Sequence, residues 1–303
     1  MSETVHVPVL LNETIELLNP QSGGIYIDGT LGGGGHTEAL IRHAGNVTVI
    51  GIDKDVEAVN RTEHYLKHVF SGIIGKSVII RFVHADYRHF GEALDLLKID
   101  KIDGFLLDLG LSSDQLADRS RGFSFDSEGL LDLRFDVSEG EPANELLKKL
   151  PEEEIADLVY RFGEERYSRR IARKIVERRT NGQPITSAHE LAELVRQCLP
   201  RENRKHPIDP ATRTFQALRI AVNHELDSLE TTLNALPKRL KPGGRAAVIS
   251  FHSLEDRIVK HVFREGEFWE VITKKPVIAS DDEIERNPRS RSAKLRGAYV
   301  KTG

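Results

Sequence analysis

Along the first hundred residues, short runs of consecutive apolar, branched side chains alternate with stretches in which apolar positions recur every three or four residues. The runs are Ile25–Ile27, Val47–Ile52, Val78–Val83 and Ile102–Leu109, and the intervening stretches are His36–His43, Val56–Val69 and Phe90–Leu97. Strands that are apolar on both faces and separated by helices predict a parallel sheet covered on both sides. The pattern then changes. From about Asp114 to Asp209 no run has buried-strand character, and the periodicity predicts helices over Ala143–Leu150, Glu152–Phe162, Arg166–Arg179 and Ser187–Leu199. The last of these opens with Ser187 and Glu190 at capping-box spacing. Arg201–Pro210, rich in Arg, Pro and Asn, reads as a linker. The sheet pattern then resumes: a helix from about Thr214 to Leu236, a turn at Lys241–Gly244, a buried strand at Ala246–Ser250 and a helix over Ser253–Phe263. Trp269–Thr273 and Ala298–Lys301 are candidate closing strands. The expected architecture is α/β, a Rossmann-like sheet built from residues 1–113 and 210–303 with an all-helical domain, 114–209, inserted between the fourth and fifth strands.

Composition narrows the class. The chain has 303 residues, 39% hydrophobic and 30% charged, enough for a real core in one large or two modest domains. No apolar run approaches the roughly 20 residues of a membrane span, and the N-terminus lacks the basic-then-apolar order of a signal peptide. A soluble, cytoplasmic chain is therefore expected. The single cysteine, Cys198, excludes an intrachain disulfide and sits in an apolar helical pattern, which predicts a buried thiol. Twelve histidines give no zinc-site spacing, so no metal is expected. The net charge of −4 does not announce a polyanion partner, but basic residues cluster at Arg161–Arg179, Arg196–Arg219 and Arg286–Arg296. A local basic face on a mildly acidic protein is compatible with nucleic acid.

The most informative stretch follows the first strand: Asp28-Gly29-Thr30-Leu31-Gly32-Gly33-Gly34-Gly35-His36. Four consecutive glycines cost chain entropy and mark a tight backbone turn that something approaches closely. Ligands of such sheets bind beyond the carboxyl ends of the strands. The second strand ends at Asp53, placed to accept hydrogen bonds from ribose hydroxyls. A dinucleotide site requires G-x-G-x-x-G, and each register fails, at Leu31, Thr37 or Glu38. Gly75-Lys76-Ser77 ends like a P-loop, but Phe70 stands where its leading glycine belongs. S-adenosyl-L-methionine carries no phosphate, so a glycine loop can serve its methionine and ribose, with Asp28 for the ammonium and Asp53 for the ribose. The fourth strand ends in Asp108-Leu109-Gly110-Leu111-Ser112-Ser113 and opens at the same edge, towards the sulfonium. The bland alternatives are a plain glycine turn with solvated acids and a strand end that caps the next helix.

These strings, together with HVPVLL (His6–Leu11), LLDLGLSSDQL (Leu106–Leu116), RGFSF (Arg121–Phe125), GEERYSRRIA (Gly163–Ala172), TRTFQALRI (Thr212–Ile220), KPGGRAAVISFHSLEDRIVK (Lys241–Lys260) and NPRSRSAKLR (Asn287–Arg296), closely resemble the RsmH/MraW family over nearly the whole chain and in matching order. The resemblance implies a bacterial S-adenosylmethionine-dependent methyltransferase with a helical insertion. Its implied substrate is the N4 amine of a cytosine at the decoding centre of small-subunit (16S) ribosomal RNA, as free RNA or in the 30S particle. It also implies cofactor contacts at Gly34, Gly35, His36, Asp53, Tyr87, Asp108 and Gln115, to which the glycine reading adds Asp28 and Gly32. Tyr87 stands where the family usually has Phe, Asp114 where Pro is common, and Leu133 and Phe135 where Met is common.

Methyl transfer from a sulfonium is an in-line displacement, so the enzyme mainly aligns nucleophile, methyl and sulfur. A cytosine amine is a weak nucleophile, and acceptors aimed at its N–H groups stabilise the charge that develops. Asp108 or the adjacent carbonyl, with Ser112 or Ser113 nearby, is the expected source. Asp132, Arg134 and His252 are expected to complete the base pocket, with Phe251, Phe123 and Phe125 as stacking candidates for an extruded base. Arg166 and Arg170, with Arg169, Arg173 and Lys174, recur at helical spacing and are expected to meet phosphates. The rival readings are a DNA or small-molecule methyltransferase, a non-catalytic RNA-binding factor that keeps the fold, and more remotely a dehydrogenase. A homodimer is compatible with the sequence, which does not specify oligomeric state.

Overall fold

The computed structural model describes residues 8–200 and 209–302. Most of the expected linker at Arg201–Pro210 and the first residues of the His6–Leu11 string lie outside them. By its internal contacts the chain divides into two units. One runs to Ser112 and resumes at Leu226; the other spans Ser113–Glu225.

The first unit is a seven-stranded sheet. Its strands are β1 (Gly24–Asp28), β2 (Val47–Asp53), β3 (Val78–His84), β4 (Ile102–Asp108), β5 (Leu240–Ser250), β6 (Trp269–Val271) and β7 (Lys294–Val300). The order is β3-β2-β1-β4-β5-β7-β6. β1 to β5 pair in parallel, and β7 runs antiparallel to both β5 and β6. The chain therefore reverses direction about β1, and β1 and β4 lie side by side with their carboxyl ends, Asp28 and Asp108, at one edge. Loops leaving that edge form the crevice in which doubly wound sheets bind ligands.

Alternate side chains of each strand feed opposite faces, which is why the strands read as unbroken apolar runs. Tyr26, Val49, Ile80, Leu106, Ala247, Ile249 and Leu295 pack on one side. Ile27, Ile50, Ile52, Phe105, Leu107, Ala246 and Val248 pack on the other. The first face is covered by α1 (Leu11–Leu18), α2 (Gly35–Ala44) and α3 (Val56–Val69), through Ile15, Leu17, Leu18, Leu40, Ile41 and Leu66. The second is covered by α4 (Phe90–Leu96), α11 (Glu225–Ala235) and α12 (Ser253–Glu265), through Phe90, Leu94, Leu229, Leu233, Val259 and Phe263. Each fully buried aliphatic or aromatic side chain of this kind contributes roughly 1.5–3 kcal/mol of transfer free energy. A last short helix, α13 (Asp281–Arg286), anchors the chain near its start: the Leu10 amide donates to the Glu283 carboxylate at 2.8 Å. The sequence pattern did not predict α1 or α13, which are too short for a periodic signal.

The second unit is helical: α5 (Ser113–Ala117), α6 (Ala143–Lys149), α7 (Glu152–Gly163), α8 (Ser168–Thr180), α9 (Ala188–Cys198) and α10 (Thr212–Asn223). Ser187 and Glu190 form the capping box of α9 that their spacing predicts. The last carbonyls around the end of α6, those of Leu147, Lys148 and Leu150, accept hydrogen bonds from the Arg179 guanidinium, which satisfies groups a helix end leaves orphaned. Cys198 is buried, as its pattern predicts.

Several boundaries differ from expectation. β5 begins at Leu240, so the turn expected at Lys241–Gly244 lies inside the strand, at an irregularity in its pairing with β4. The single helix expected over Thr214–Leu236 is two helices, broken at His224, whose φ is +55°. Asn223 faces inward there: its amide nitrogen donates to the Leu133 and Arg219 carbonyls, and its oxygen accepts from the Phe135 amide. These hydrogen bonds turn the chain out of helical register. α10 consequently packs on α7, and the helical unit extends to Glu225 rather than ending near Asp209. Similarly, β7 begins at Lys294, four residues earlier than expected, because Lys294–Tyr299 pair with β5.

The close approach of α7 and α10 depends on Gly163, where a Cβ would fall 2.5 Å from the Arg213 carbonyl oxygen. Gly163→Ala should therefore cost about 1–3 kcal/mol, the usual range for overpacking. Chemical denaturation measures it, and an unchanged midpoint would mean that the two helices are not held this closely.

Candidate active site

The glycine loop leaves β1 along a path fixed by its neighbours. The Gly29 amide bonds to the Leu106 carbonyl and the Leu31 amide to the Ile52 carbonyl, both at 2.9 Å. Gly32 and Gly34 have φ of +48° and +78°, a region that side chains strain to enter. At Gly34 a Cβ would also lie 2.5 Å from the Thr62 methyl, so α3 packs directly on the backbone. At Gly32 nothing lies closer than 3.8 Å to such a Cβ. Gly32, unlike Gly34 and Gly35, thus leaves its backbone open to an approaching ligand.

Asp53 ties this loop to the next. Its Oδ2 accepts from the Gly32 amide and its Oδ1 from the Asp55 amide, each at 2.8 Å. A carboxylate offers about four acceptor sites, so each oxygen retains a lone pair for a further donor. Burial pushes the Asp53 carboxyl up to about 6, against the lowering effect of its two amide bonds. Thr62 closes the arrangement by donating to the Gly32 carbonyl at 2.5 Å.

Asp28 is fully enclosed, with 1% of its surface exposed. Its oxygens accept from the Thr30 amide at 3.2 Å and the Thr37 hydroxyl at 2.8 Å, and burial pushes its carboxyl up to about 6. Both oxygens are therefore engaged in holding the loop.

Asp108 is different. Its amide donates to the Thr30 hydroxyl at 2.6 Å, which pins the end of β4 to the glycine loop. Its Oδ2 lies 3.6 Å from Nδ1 of His36, and its Oδ1 is buried without a hydrogen-bond partner. The side chain keeps 15% of its surface open. Burial above all, then the nearby carboxylates of Asp28 and Glu255, pushes its carboxyl up to about 8. His36, 5% exposed, is held from its other side by the Val9 carbonyl, 3.0 Å from Nε2.

Glu255, which the sequence reading overlooked, is 2% exposed. Its Oε2 accepts from the Phe251 and His252 amides at 2.8 and 3.3 Å, and its Oε1 lies 3.2 Å from Nε2 of His252. His252 in turn caps α12 through Nδ1, which accepts from the Glu255 amide at 3.4 Å. The detectable signal was a reciprocal capping box with histidine in place of serine.

Tyr87 opens the turn after β3, half-buried against the core at the same sheet edge. Ser112 is half-buried where the first unit ends, whereas the side chain of Ser113 lies outside the described residues. Gln115 is buried in α5 of the helical unit. Asp132 and Arg134 form a bidentate ion pair at 2.7 and 2.8 Å, and Arg134 also donates to the Glu139 and Gly140 carbonyls. This pair orders its own loop. Phe123 stacks on Phe135, and Phe125 meets Phe215 edge-on, so both rings pack within the helical unit. Arg166, Arg169, Arg170, Arg173 and Lys174 are all exposed. Arg173 lies 3.7 Å from Glu152 and Lys174 2.6 Å from Glu177. Among the described residues, no three His, Cys, Asp or Glu side chains form a metal-holding cluster, and no helix is long and apolar enough to cross a membrane.

The family model of the MraW methylases matches residues 3–301. The chain belongs to the MraW methylase family. Relatives called ribosomal RNA small subunit methyltransferase H are similar along nearly their whole length. The Rhodopirellula baltica protein is 50% identical, over 98% of this chain and 92% of its own. The Sorangium cellulosum protein is 50% identical, over 97% and 90%. The Kosmotoga olearia protein is 46% identical, over 97% and 96%. The sheet order described above is accordingly that of a Rossmann-like methyltransferase.

The raised Asp108 carboxyl has a consequence for stability. An unfolded chain releases this proton near pH 4, whereas the folded chain keeps it to about pH 8. Between those values the folded state binds the extra proton, so the contribution of Asp108 to stability falls as pH rises and levels off above about 8. Asp108→Asn should therefore raise Tm of the cofactor-free protein by a margin that widens from pH 5 to 8 and is constant above. A margin independent of pH would show that the carboxyl is not held neutral.

Proposed function

We propose that this protein methylates the N4 amine of a cytosine in the decoding centre of small-subunit (16S) ribosomal RNA, with S-adenosyl-L-methionine as methyl donor. The observation that carries the reading is the buried, unpartnered Oδ1 of Asp108, to which Asp28 and Glu255 add like charge. Such a cluster resists ionisation, and a nearby cation relieves it. S-adenosylmethionine carries two positive centres, an ammonium and a sulfonium, and no phosphate. The family membership and the names of the relatives point to the same donor and to ribosomal RNA.

The residues present fit that donor. Gly32 offers an open backbone between Asp53 and Asp108, and Asp53 retains acceptor capacity for ribose hydroxyls. Tyr87 supplies an aromatic face for adenine, and His36, Gly34 and Gly35 shape the loop. Asp28, enclosed at 1% exposure where Asp53 is only partly buried, acts through its charge and by holding Thr30 and Thr37. When bound, the cofactor supplies an electrophilic methyl on sulfur.

The chain's own part is alignment and charge. Asp108, or the carbonyl beside it, accepts a hydrogen bond from the substrate amine, with Ser112 or Ser113 near the same strand end. That interaction strengthens as positive charge grows on the amine nitrogen. In the helical unit, the exposed arginines of α8 and its approach grip the RNA backbone, Asp132 and Arg134 order their own loop for the substrate, and Gln115 is that unit's candidate cofactor contact. In the sheet unit His252 orders the loop after β5. Such a protein acts in the cytoplasm, where its substrate is made.

Mass mapping of small-subunit RNA after incubation with enzyme and labelled cofactor tests the reading. The expected result is one methyl group on one cytosine, from 30S particles or naked 16S RNA, and none on DNA. Methylation of DNA, or none at all alongside intact cofactor binding, would overturn it. Reversing Arg166, Arg169 and Arg170 to Glu should flatten the dependence of RNA affinity on salt, by about 0.7–0.9 in log–log slope for each phosphate that is no longer neutralised. An unchanged slope would move the RNA grip elsewhere.

A further inference from the structure

His36 faces two acceptors. On one side the Val9 carbonyl lies 3.0 Å from Nε2. A carbonyl carries no proton, so Nε2 must be the protonated nitrogen. On the other side Nδ1 faces Oδ2 of Asp108 at 3.6 Å, an ion-pair distance longer than a hydrogen bond. With Nε2 fixed as donor, the neutral ring presents a lone pair to a carboxylate, and the two repel. One proton, on either partner, turns that repulsion into attraction. The surroundings favour keeping it. The charged groups facing Asp108 are Asp28 from β1 and Glu255 from α12, both negative, with His252 beside Glu255, and His36 from α2 faces it at ion-pair distance.

We propose that His36 and Asp108 hold one proton between them in the cofactor-free protein, and that His36 is thereby the positioning residue that keeps the pair neutral until a cationic cofactor drives the proton off. The inference rests on the proposed function for the identity of that cation, but its first half concerns the protein alone. It also orders the reaction. The carboxylate becomes available as an acceptor only once the cofactor is bound. As the amine nitrogen forms its bond to the methyl carbon, the carbon–sulfur bond breaks and sulfur keeps the electron pair. The nitrogen then gives one proton to the Asp108–His36 pair, which regains what it lost on binding. The sulfonium charge disappears in the same step, so the pair's affinity for a proton returns when the amine must lose one.

Two measurements on the full-length protein test this. Nitrogen NMR of the His36 ring without cofactor should show protonated Nε2 at every pH, with Nδ1 changing state in a single step shared with Asp108. In Asp108→Asn that step should vanish or move by more than one pH unit. A ring protonated on Nδ1 alone, or a titration unaffected by Asp108→Asn, would overturn the proposal. Calorimetry of S-adenosylmethionine binding in buffers of different ionisation enthalpy should find about one proton released per cofactor between pH 6 and 8, with affinity rising up to about tenfold per pH unit. His36→Gln keeps a donor for Val9 but cannot share a proton, and His36→Asn gives a second, smaller variant should Gln disturb the fold. Proton release as large in both variants as in the wild type would sink the coupling. Absence of S-adenosylmethionine binding alongside the expected ring titration would instead count against the proposed function and leave the proton-sharing pair standing.

Discussion

Burying three carboxyl groups at one edge of a sheet is the constraint from which much of this molecule follows. Asp28, Asp108 and Glu255 come from two strands and a helix, and the fold brings their charges close enough to raise the proton affinity of Asp108. Water cannot screen them there, and each added charge makes the next harder to ionise. The structure meets this cost unevenly. Asp28 has a hydroxyl and an amide as donors, and Glu255 has two amides. One oxygen of Asp108 has nothing. The scaffold thus concentrates its unsatisfied electrostatic demand on one atom.

The surrounding loops keep that atom in place. The Thr30 hydroxyl accepts from the Asp108 amide, Asp53 accepts from the Gly32 amide, and the Thr62 hydroxyl donates to the Gly32 carbonyl, so three strand ends are cross-linked through a single glycine-rich turn. None of these bonds is strong alone, since a net hydrogen bond is worth about 0.5–1.5 kcal/mol. Together they define one path for a segment that would otherwise be the freest in the chain. Glycine at position 34 is needed for packing against Thr62, whereas at position 32 it leaves the backbone uncovered. The same residue type serves a steric need in one place and an access need in the other.

The helical unit is organised on a different principle. Its aromatic and charged loop residues satisfy one another: Asp132 with Arg134, Phe123 with Phe135, and Asn223 with the backbone of Leu133 and Phe135. What remains outward is the basic side of α8, while Ile171, Ala172 and Ile175 on its other side are fully buried. A rigid core with an exposed cationic stripe suits contact with a polyanion whose grip depends on charge rather than on a shaped pocket.

Hydrophobic periodicity alone was sufficient for the parallel strands, the helices between them and the helical interruption, because burial on two faces or on one stripe leaves a direct trace in residue order. The motif at residues 28–36 and the strand-end aspartates were legible for a related reason: glycine runs and isolated acids are costly unless a ligand or a turn requires them. The break at His224 could not be read, because it accompanies Asn223 pairing with the Leu133 carbonyl and the Phe135 amide, some ninety positions away. Glu255 left only a faint trace, since a capping box with histidine in the serine position resembles an ordinary helix start. Which aspartate is satisfied and which is left wanting was likewise a tertiary matter. Asp28 and Asp108 both end buried strands in sequence, and only the arrangement of Thr30, Thr37, His36 and Glu255 around them separates a carboxyl with both oxygens hydrogen-bonded from one with an oxygen left unsatisfied. Residue order determines what must be buried, whereas the partners that burial supplies are chosen by elements distant in the chain, and those partners set the chemistry.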